Sequence, residues 1–170
     1  MSRLEILVLA VAAVLGIGFD SAFTPSPKLI WNASASAPIG FYAVLPSHPL
    51  DVGDFVVAMP PDALAAFFAV RHYLPKGVPL LKHIAALPGQ TVCRCGAVVT
   101  IDGVPIALAL TRDRAGRPLP IWQGCHAISA NEIFLLNRSV PDSLDGRYFG
   151  PLPMASLIGR AKPLWTFTEP

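Results

Sequence analysis

The sequence carries little charge and few cysteines, and both shortages narrow its possible functions. Only 14% of the 170 residues are charged, the net charge is +2, and lysine and arginine form no cluster. Proteins that bind nucleic acid need a basic face to neutralise phosphates, so nucleic acid is excluded as a partner. The three cysteines, with His126 beside the last of them, fit no usual four-ligand zinc pattern. We therefore expect neither a metal nor a cofactor.

The composition also argues against long helices. Eighteen prolines are spread along the chain. Proline removes a backbone donor and interrupts regular pairing, which favours short strands and ordered loops. At 170 residues and 53% hydrophobic content, the chain is long enough for one domain with a substantial core.

An apolar run lies at the N-terminus, over residues 4–19, preceded by Arg3 and followed by Asp20. Its length is close to the roughly 20 residues of a membrane span. We interpret residues 1–23 as a membrane anchor or signal segment and residues 24–170 as an exported domain. A retained anchor is preferred to a cleaved signal peptide, because no small-x-small cleavage site follows the run. A buried core helix would show a polar face, and none is present.

Residues 31–42 contain two serines two positions apart, just before a Pro-x-Gly turn. On a strand, Ser34 and Ser36 would point to the same face. Pro38 ends regular pairing and Gly40 lets the chain bend, which would leave Ser36 accessible at the end of the strand. This stretch is a candidate seat for a nucleophile, and it also fits a small-residue linker.

Short apolar runs separated by turn residues predict a mainly antiparallel β fold. A hairpin is predicted over residues 92–106, because Asp102-Gly103 carries a turn signal. The polar residues 111–120 are interpreted as a solvated loop, so that residues 93–127 form a small β insertion. Other strands are predicted at residues 41–45, 53–59, 79–89 and 132–136, the last being the final strand of the chain.

One helix is predicted over residues 62–71, with Asp62 as its N-cap. Leu64, Phe67 and Phe68 recur at helical spacing. They are expected to pack in the core, with a lipid-facing patch beside the anchor as the alternative.

A single lysine, Lys82, lies within the apolar strand of residues 79–89. A buried ammonium is costly, so the side chain either extends to water or is held neutral by its surroundings. His83, on the opposite face by strand alternation, is expected to be exposed or half-buried.

Three cysteines in the segment that we expect to be exported favour one disulfide and one free thiol. Cys93 and Cys95 are too close on one strand to bridge each other easily. Cys125 is therefore predicted to be disulfide-bonded. Cys93 is the preferred partner, because Cys95 adjoins the turn-prone Gly96.

Four blocks stand in order along the chain: residues 34–40 (SASAPIG), 80–89 (LLKHIAALPG), 137–138 (NR) and 142–150 (DSLDGRYFG), the last running on to 158–161 (IGRA). Together they resemble the type I signal peptidases, and most closely the TraF-type conjugative transfer signal peptidases. General leader peptidases have Met after the nucleophile and Pro at the third position, whereas here Ala37 follows and Pro38 is second. This departure points to the TraF type.

The resemblance implies that Ser36 is the nucleophile, Lys82 the general base and Ser34 a hydroxyl of the oxyanion hole. A serine hydroxyl is a poor nucleophile until a base takes its proton. A lysine can do so near neutral pH only if burial lowers its pKa from about 10.4 to roughly 7 or 8. The apolar neighbours Leu81 and Ile84 would supply that burial.

The last of the four blocks, residues 142–150, implies three supporting roles. Ser143 matches the serine that orients the lysine, and Asp145 with Arg147 matches an ion pair that braces the site. The implied fold is a signal-peptidase-like antiparallel β-sheet core with a small β insertion and an N-terminal apolar helix.

We therefore expect a serine endopeptidase, anchored in the inner membrane with its catalytic domain on the periplasmic face. Its partners would be that membrane and a protein substrate, a pilin precursor processed for conjugative transfer. Water or an amine would resolve the acyl-enzyme, and the pilin's own N-terminus as the amine would give a cyclic product. The alternatives are a general type I leader peptidase and a non-catalytic mating-pair assembly protein. Intact Ser36 and Lys82 argue against the second.

Overall fold

The computed structural model describes residues 2, 4–11, 28–47 and 49–167. Residues 4–11 form a helix, α1. The other residues of the predicted anchor, 1, 3 and 12–23, lie outside the described residues. Within the described ranges, no helix is long and apolar enough to cross a membrane.

The described part of the chain is built from short strands, as the proline content predicts. Two further helices, α2 (Asp62–Val70) and α3 (Gly146–Phe149), and a 3₁₀ turn at Met154–Ser156 interrupt them. The strands are β1 (Leu29–Asn32), β2 (Ile39–Leu45), β3 (Phe55–Ala58), β4 (Leu80–Ala86), β5 (Thr91–Cys95), β6 (Val98–Ile101), β7 (Val104–Leu108), β8 (Gly124–Ala127), β9 (Glu132–Leu136), β10 (Leu152–Pro153) and β11 (Leu157–Phe167).

These strands form two antiparallel sheets. The larger has the order β1-β2-β11-β3-β4-β9-β10, and the smaller has the order β7-β6-β5-β8. The smaller sheet spans residues 91–127, the segment that the sequence marks as an insertion. The prediction of a mainly antiparallel β fold is confirmed.

Apolar clusters join α2 and the two sheets. Phe68 of α2 is 1% exposed and packs with Ile84 and Leu135 of the larger sheet. This confirms that the helix packs in the core. On the far side of the sheet, Phe134 packs with Val99 of the smaller sheet. The insertion is therefore fixed against the strands β4 and β9.

Strand β9 is not the last strand, so that prediction is wrong. β11 follows it and lies between β2 and β3, pairing with both. The signal was weak because Arg160, Lys162 and Pro163 interrupt the apolar pattern of this segment. The register of the β11–β2 pair shifts between Pro163 and Trp165, and such a bulge accommodates a residue that cannot donate to the ladder.

Two local details of these elements follow from backbone chemistry. A Cβ at Gly40 would lie 2.1 Å from the carbonyl oxygen of Trp165, and Gly40 has a φ of +154°, so only glycine lets β11 approach β2 here.

Helix α2 begins at Asp62 itself, with Pro61 at the N-cap position and no side-chain cap. The prediction that Asp62 is the N-cap was wrong by one residue.

Candidate active site

The two candidate serines lie in the loop between β1 and β2, not on a strand as predicted. The loop folds around Asn32, which is 7% exposed. The Asn32 amide donates to three loop carbonyl oxygens at 3.0 to 3.1 Å, and its Oδ1 accepts from the backbone N–H of Ser34 at 3.0 Å. This turn brings the hydroxyls of Ser34 and Ser36 to 2.8 Å from each other.

Lys82 is buried in the middle of β4, with only 3% of its surface exposed. Its Nζ donates to Oγ of Ser143 at 2.7 Å. Burial lowers the pKa of the Lys82 ammonium to about 8, while the nearby Asp145 carboxylate raises it and Arg147 lowers it further. The side chain therefore does not extend to water, and a substantial fraction of it is neutral near pH 8.

Asp145 and Arg147 form a fully buried ion pair just beyond Ser143. Arg147 Nη2 lies 2.8 Å from Oδ2 of Asp145, and Arg147 Nε donates to Oδ1 at 2.9 Å. The guanidinium also donates to the carbonyl oxygens of Asn137 and Val140, at 3.1 and 2.7 Å. The pair thus binds both ends of the loop that carries Ser143, which fixes the hydroxyl that contacts Lys82.

One cleft of about 430 Å³ brings Ser34, Ser36, Lys82 and Ser143 together. Within the described residues, the Ser36 hydroxyl bonds to Ser34 and the Lys82 amine bonds to Ser143, and the two are not hydrogen-bonded to each other. The remaining lining is Ala35, Phe68, Tyr73, Leu74, Leu80, Leu110, Asp113, Arg114, Ala115, Arg117, Leu119, Val140, Asp142 and Leu144.

The polar residues 111–120 are not simply a solvated loop, because part of the segment forms a wall of this cleft. Asp113 accepts from the hydroxyl of Tyr73 at 2.5 Å and from Nε of Arg117 at 2.7 Å. These contacts, led by that of Tyr73, lower the pKa of Asp113. The loop is therefore held against the segment that follows α2, and contacts about 40 residues apart in sequence could not be predicted from composition alone.

Asn137 contributes to this site, although its sequence position gave it no predicted role. Its Nδ2 donates to the carbonyl oxygens of Ser36 and Leu81, at 2.5 and 3.2 Å. One side chain therefore joins the serine loop to the strand of Lys82. Two signals were available: Asn137 belongs to the resemblance block 137–138, and it is a polar residue directly after the buried strand β9.

Arg94 is a second residue whose role is visible only in the structure. It is 3% exposed and donates from Nη1 to the carbonyl oxygen of Arg147 at 2.6 Å. Trp122 donates from Nε1 to the neighbouring carbonyl oxygen of Gly146 at 3.0 Å. Through these two bonds the insertion supports α3 and the buried ion pair.

Cys93 and Cys125 form a disulfide between β5 and β8, the pairing that the sequence favours. Cys95 is a free, exposed thiol. In the part of the chain that the structure describes, no group of His, Cys, Asp and Glu side chains is arranged to hold a metal ion.

The profile of the family described as "Signal peptidase, peptidase S26" matches residues 1–165. The chain belongs to this signal peptidase family. A "Conjugal transfer protein TraF" from Agrobacterium fabrum (strain C58 / ATCC 33970) is 34% identical over 175 residues, covering 95% of this chain and 91% of the relative. Another from Agrobacterium tumefaciens (strain 15955) is 36% identical and covers 97% of both chains.

The S26 relatives extend beyond those named for conjugal transfer. A "Probable signal peptidase I-1" from Synechocystis sp. (strain ATCC 27184 / PCC 6803 / Kazusa) is 31% identical over 114 residues, covering 67% of this chain and 54% of the relative. Membership of the S26 family supports a peptidase with a signal-peptidase-like role and a protein substrate. The parts played by single residues remain predictions.

Substitution of Ser34 and of Ser143 tests the predicted roles of these two serines separately. We expect Ser34→Ala to lower kcat about 10²- to 10³-fold with little change in KM, because an oxyanion donor acts mainly in the transition state. For Ser143→Ala we expect the midpoint of the pH–rate profile to move roughly half a pH unit lower, because a hydroxyl oxygen binds an ammonium more strongly than a neutral amine. Steady-state kinetics against pH measures both. Wild-type kinetics in both variants would remove these serines from the mechanism.

Proposed function

We propose that this protein is a serine endopeptidase of the signal peptidase type, in which Ser36 forms the acyl-enzyme and Lys82 is the general base. Its substrate is a pilin precursor or another exported protein used in conjugative transfer. The observation that carries the proposal is the burial of Lys82 in the same cleft as Ser36.

The burial of Lys82 supports a role as base because it favours the neutral amine. A lysine with a pKa of about 8 can accept a proton near neutral pH. Ser143 holds the amine at 2.7 Å, which fixes its position in the cleft. Geometry in a free enzyme is often looser than in its substrate complex. We expect the Ser36 hydroxyl to turn from Ser34 toward Lys82 when substrate binds.

In the acylation step Ser36 Oγ attacks the scissile carbonyl carbon while its proton passes to Lys82 Nζ. The tetrahedral intermediate collapses, the C–N bond breaks, and the leaving amine takes the proton from Lys82. The ester on Ser36 is then attacked by water or by an amine. Attack by the substrate's own N-terminus would give a cyclic product.

Two donors near Ser36 are suited to the oxyanion. The Ser34 hydroxyl is 2.8 Å from Ser36 Oγ. The backbone N–H of Ser36 donates to no group within the described part of the chain. A donor of this kind commonly contributes about 3 kcal/mol to transition-state stabilisation.

The relatives named for conjugal transfer support a substrate from that process. They match nearly the whole of this chain, whereas the signal peptidase of Synechocystis matches 67% of it. A role limited to conjugative transfer is therefore preferred to that of a general leader peptidase.

We place the protein at the inner membrane with its catalytic domain on the periplasmic face. An exposed aromatic ladder crosses β1, β2 and β11, and consists of Trp31, Phe41, Trp165 and Phe167, which are 37 to 57% exposed. Neighbouring rings in the ladder lie 4.5 to 6.4 Å apart. Aromatic side chains are enriched at membrane–water interfaces, and so large an exposed apolar group favours contact with a membrane or partner. β1 and β2 also flank the serine loop.

The pH dependence of cleavage tests the proposed base. Protonated Lys82 cannot accept the serine proton, so kcat/KM should rise about tenfold per pH unit below pH 8 and level off above it. We expect the rate at pH 6 to be about 100-fold below the plateau. The measurement is cleavage of a peptide spanning the pilin cleavage site, with circular dichroism at each pH as the control for folding. A flat profile between pH 6 and 9 with detectable cleavage would contradict Lys82 as base.

A further inference from the structure

The cleft contains two carboxylates outside the proposed dyad, and only one has acceptor capacity to spare. Asp113 accepts from Tyr73, from the side chain of Arg117 and from the backbone N–H groups of residues 115 and 117. A carboxylate offers about four acceptor positions, so the acceptor capacity of Asp113 is fully used by Tyr73 and by its own loop.

Asp142 is the other carboxylate of the cleft, and it forms a single ion pair among the described residues. Arg114 Nε lies 2.5 Å from its Oδ2. The side chain of Arg114 is 85% exposed and that of Asp142 is 31% exposed. Exposed pairs of this kind are weak, so another cation can replace Arg114 at little cost.

Asp142 lies in the cleft that contains the proposed catalytic residues. Asp142 precedes Ser143, whose hydroxyl contacts the Lys82 amine, and all three line the cleft with Ser36. A cation bound to Asp142 therefore lies in the same cleft as the proposed base and the proposed ester. A nucleophile held in this way reacts as if present at a greatly raised concentration.

We propose that Asp142 binds a primary ammonium group in the cleft and so directs the ester on Ser36 to an amine rather than to water. This inference rests on the proposed function, because it requires the acyl-enzyme. The amine is an α-ammonium at a peptide N-terminus or a lysine side chain, which share this chemistry. Arg114 competes with it for the same carboxylate.

The transfer step balances as follows. One proton leaves the ammonium for solvent water, and the neutral amine nitrogen attacks the ester carbonyl carbon. The C–N bond forms and the C–Oγ bond of Ser36 breaks. Lys82 carries the second proton from the attacking nitrogen to Oγ, which restores the serine hydroxyl and the neutral lysine.

The two partners of the ion pair give opposite expectations. Asp142→Asn should lower the ratio of aminolysis to hydrolysis products about two- to fivefold, the range that an exposed ion pair supports. Arg114→Gln should raise the same ratio about two- to fivefold, since the carboxylate is freed for the amine. If the ion pair only held two loops together, both substitutions would break it. The ratio of aminolysis to hydrolysis would then change in the same direction in both variants.

The experiment uses the full chain in detergent and a peptide spanning the pilin cleavage site. Glycinamide supplies an α-amine and Nα-acetyl-lysinamide supplies a side-chain amine, each added in a separate arm, and mass spectrometry measures both products in one reaction. Asp62→Asn, a carboxylate outside the cleft lining, is the matched control and should leave the ratio unchanged. The arm with the larger response identifies the source of the ammonium.

Three outcomes separate a failure of the amine site from a failure of the proposed function. Opposite changes in the two variants support the amine site. If the hydrolysis product forms, but its ratio to the amide is the same in all variants, the amine site is overturned and the proposed function stands. The same conclusion follows if the ratio changes in the same direction in both variants. Absence of both products with the wild-type chain overturns the proposed function itself.

Discussion

Ser36→Ala and Lys82→Ala are each expected to abolish cleavage of a pilin precursor, by at least about 10⁴-fold, while the protein stays folded. The first removes the proposed nucleophile and the second removes the proposed base that activates it. Because both act as one unit, the double variant should be no less active than either single variant. Cleavage is measured by mass spectrometry of the precursor, and folding by circular dichroism and thermal unfolding.

Two exposed residues outside the cleft lining provide matched controls for these substitutions. Ser129→Ala and Lys162→Ala change the same side-chain types at exposed positions, and we expect both variants to retain wild-type cleavage. Processing at the wild-type rate by either dyad variant would rule out the Ser36–Lys82 mechanism. It would favour a non-catalytic assembly protein only if acylation by a serine-directed penem were also lost.

Asp145→Asn is expected to lower the free energy of unfolding by about 3 to 5 kcal/mol. The substitution leaves the Arg147 guanidinium, which is 1% exposed, buried without its counter-charge. It also weakens the acceptor for the backbone N–H groups of Asn137 and Arg147. Chemical denaturation at pH 7, followed by tryptophan fluorescence, measures the change.

The exposed pair between Arg114 and Asp142 is the comparison for this prediction. Removing it by Arg114→Gln should cost less than about 1 kcal/mol, because solvent screens both groups. Equal losses of stability in the two variants would contradict the view that burial makes the Asp145–Arg147 pair structurally important.

The sequence was most informative where a residue type conflicts with its surroundings. Lys82 stands out because an ammonium within an apolar strand is costly, and the structure places it in the interior. The signal of an amide is weaker, since asparagine is common in any turn. The roles of Asn32 and Asn137 depend on which carbonyl groups meet them after folding, and for Asn137 one of these lies 101 residues away.

The same reasoning explains the errors in the predicted elements. β11 was missed because residues 162–165 are all exposed and include Pro163, so the alternation of buried and exposed positions stops after Ala161. The loop of residues 111–120 looked solvated because it is polar, yet its polar groups are used by Tyr73 and by one another. Polarity alone does not distinguish a group facing water from a group facing a partner.

The position of β11 has a consequence for when the enzyme becomes active. The serine loop precedes β2, Lys82 lies on β4, and β11 is the strand that joins their two halves of the sheet through β2 and β3. A nascent chain that does not yet include β11 holds Ser36 and Lys82, the proposed nucleophile and base, on separate pieces of the sheet. Under the proposed mechanism, cleavage therefore begins only once β11 has been made and has paired with β2 and β3.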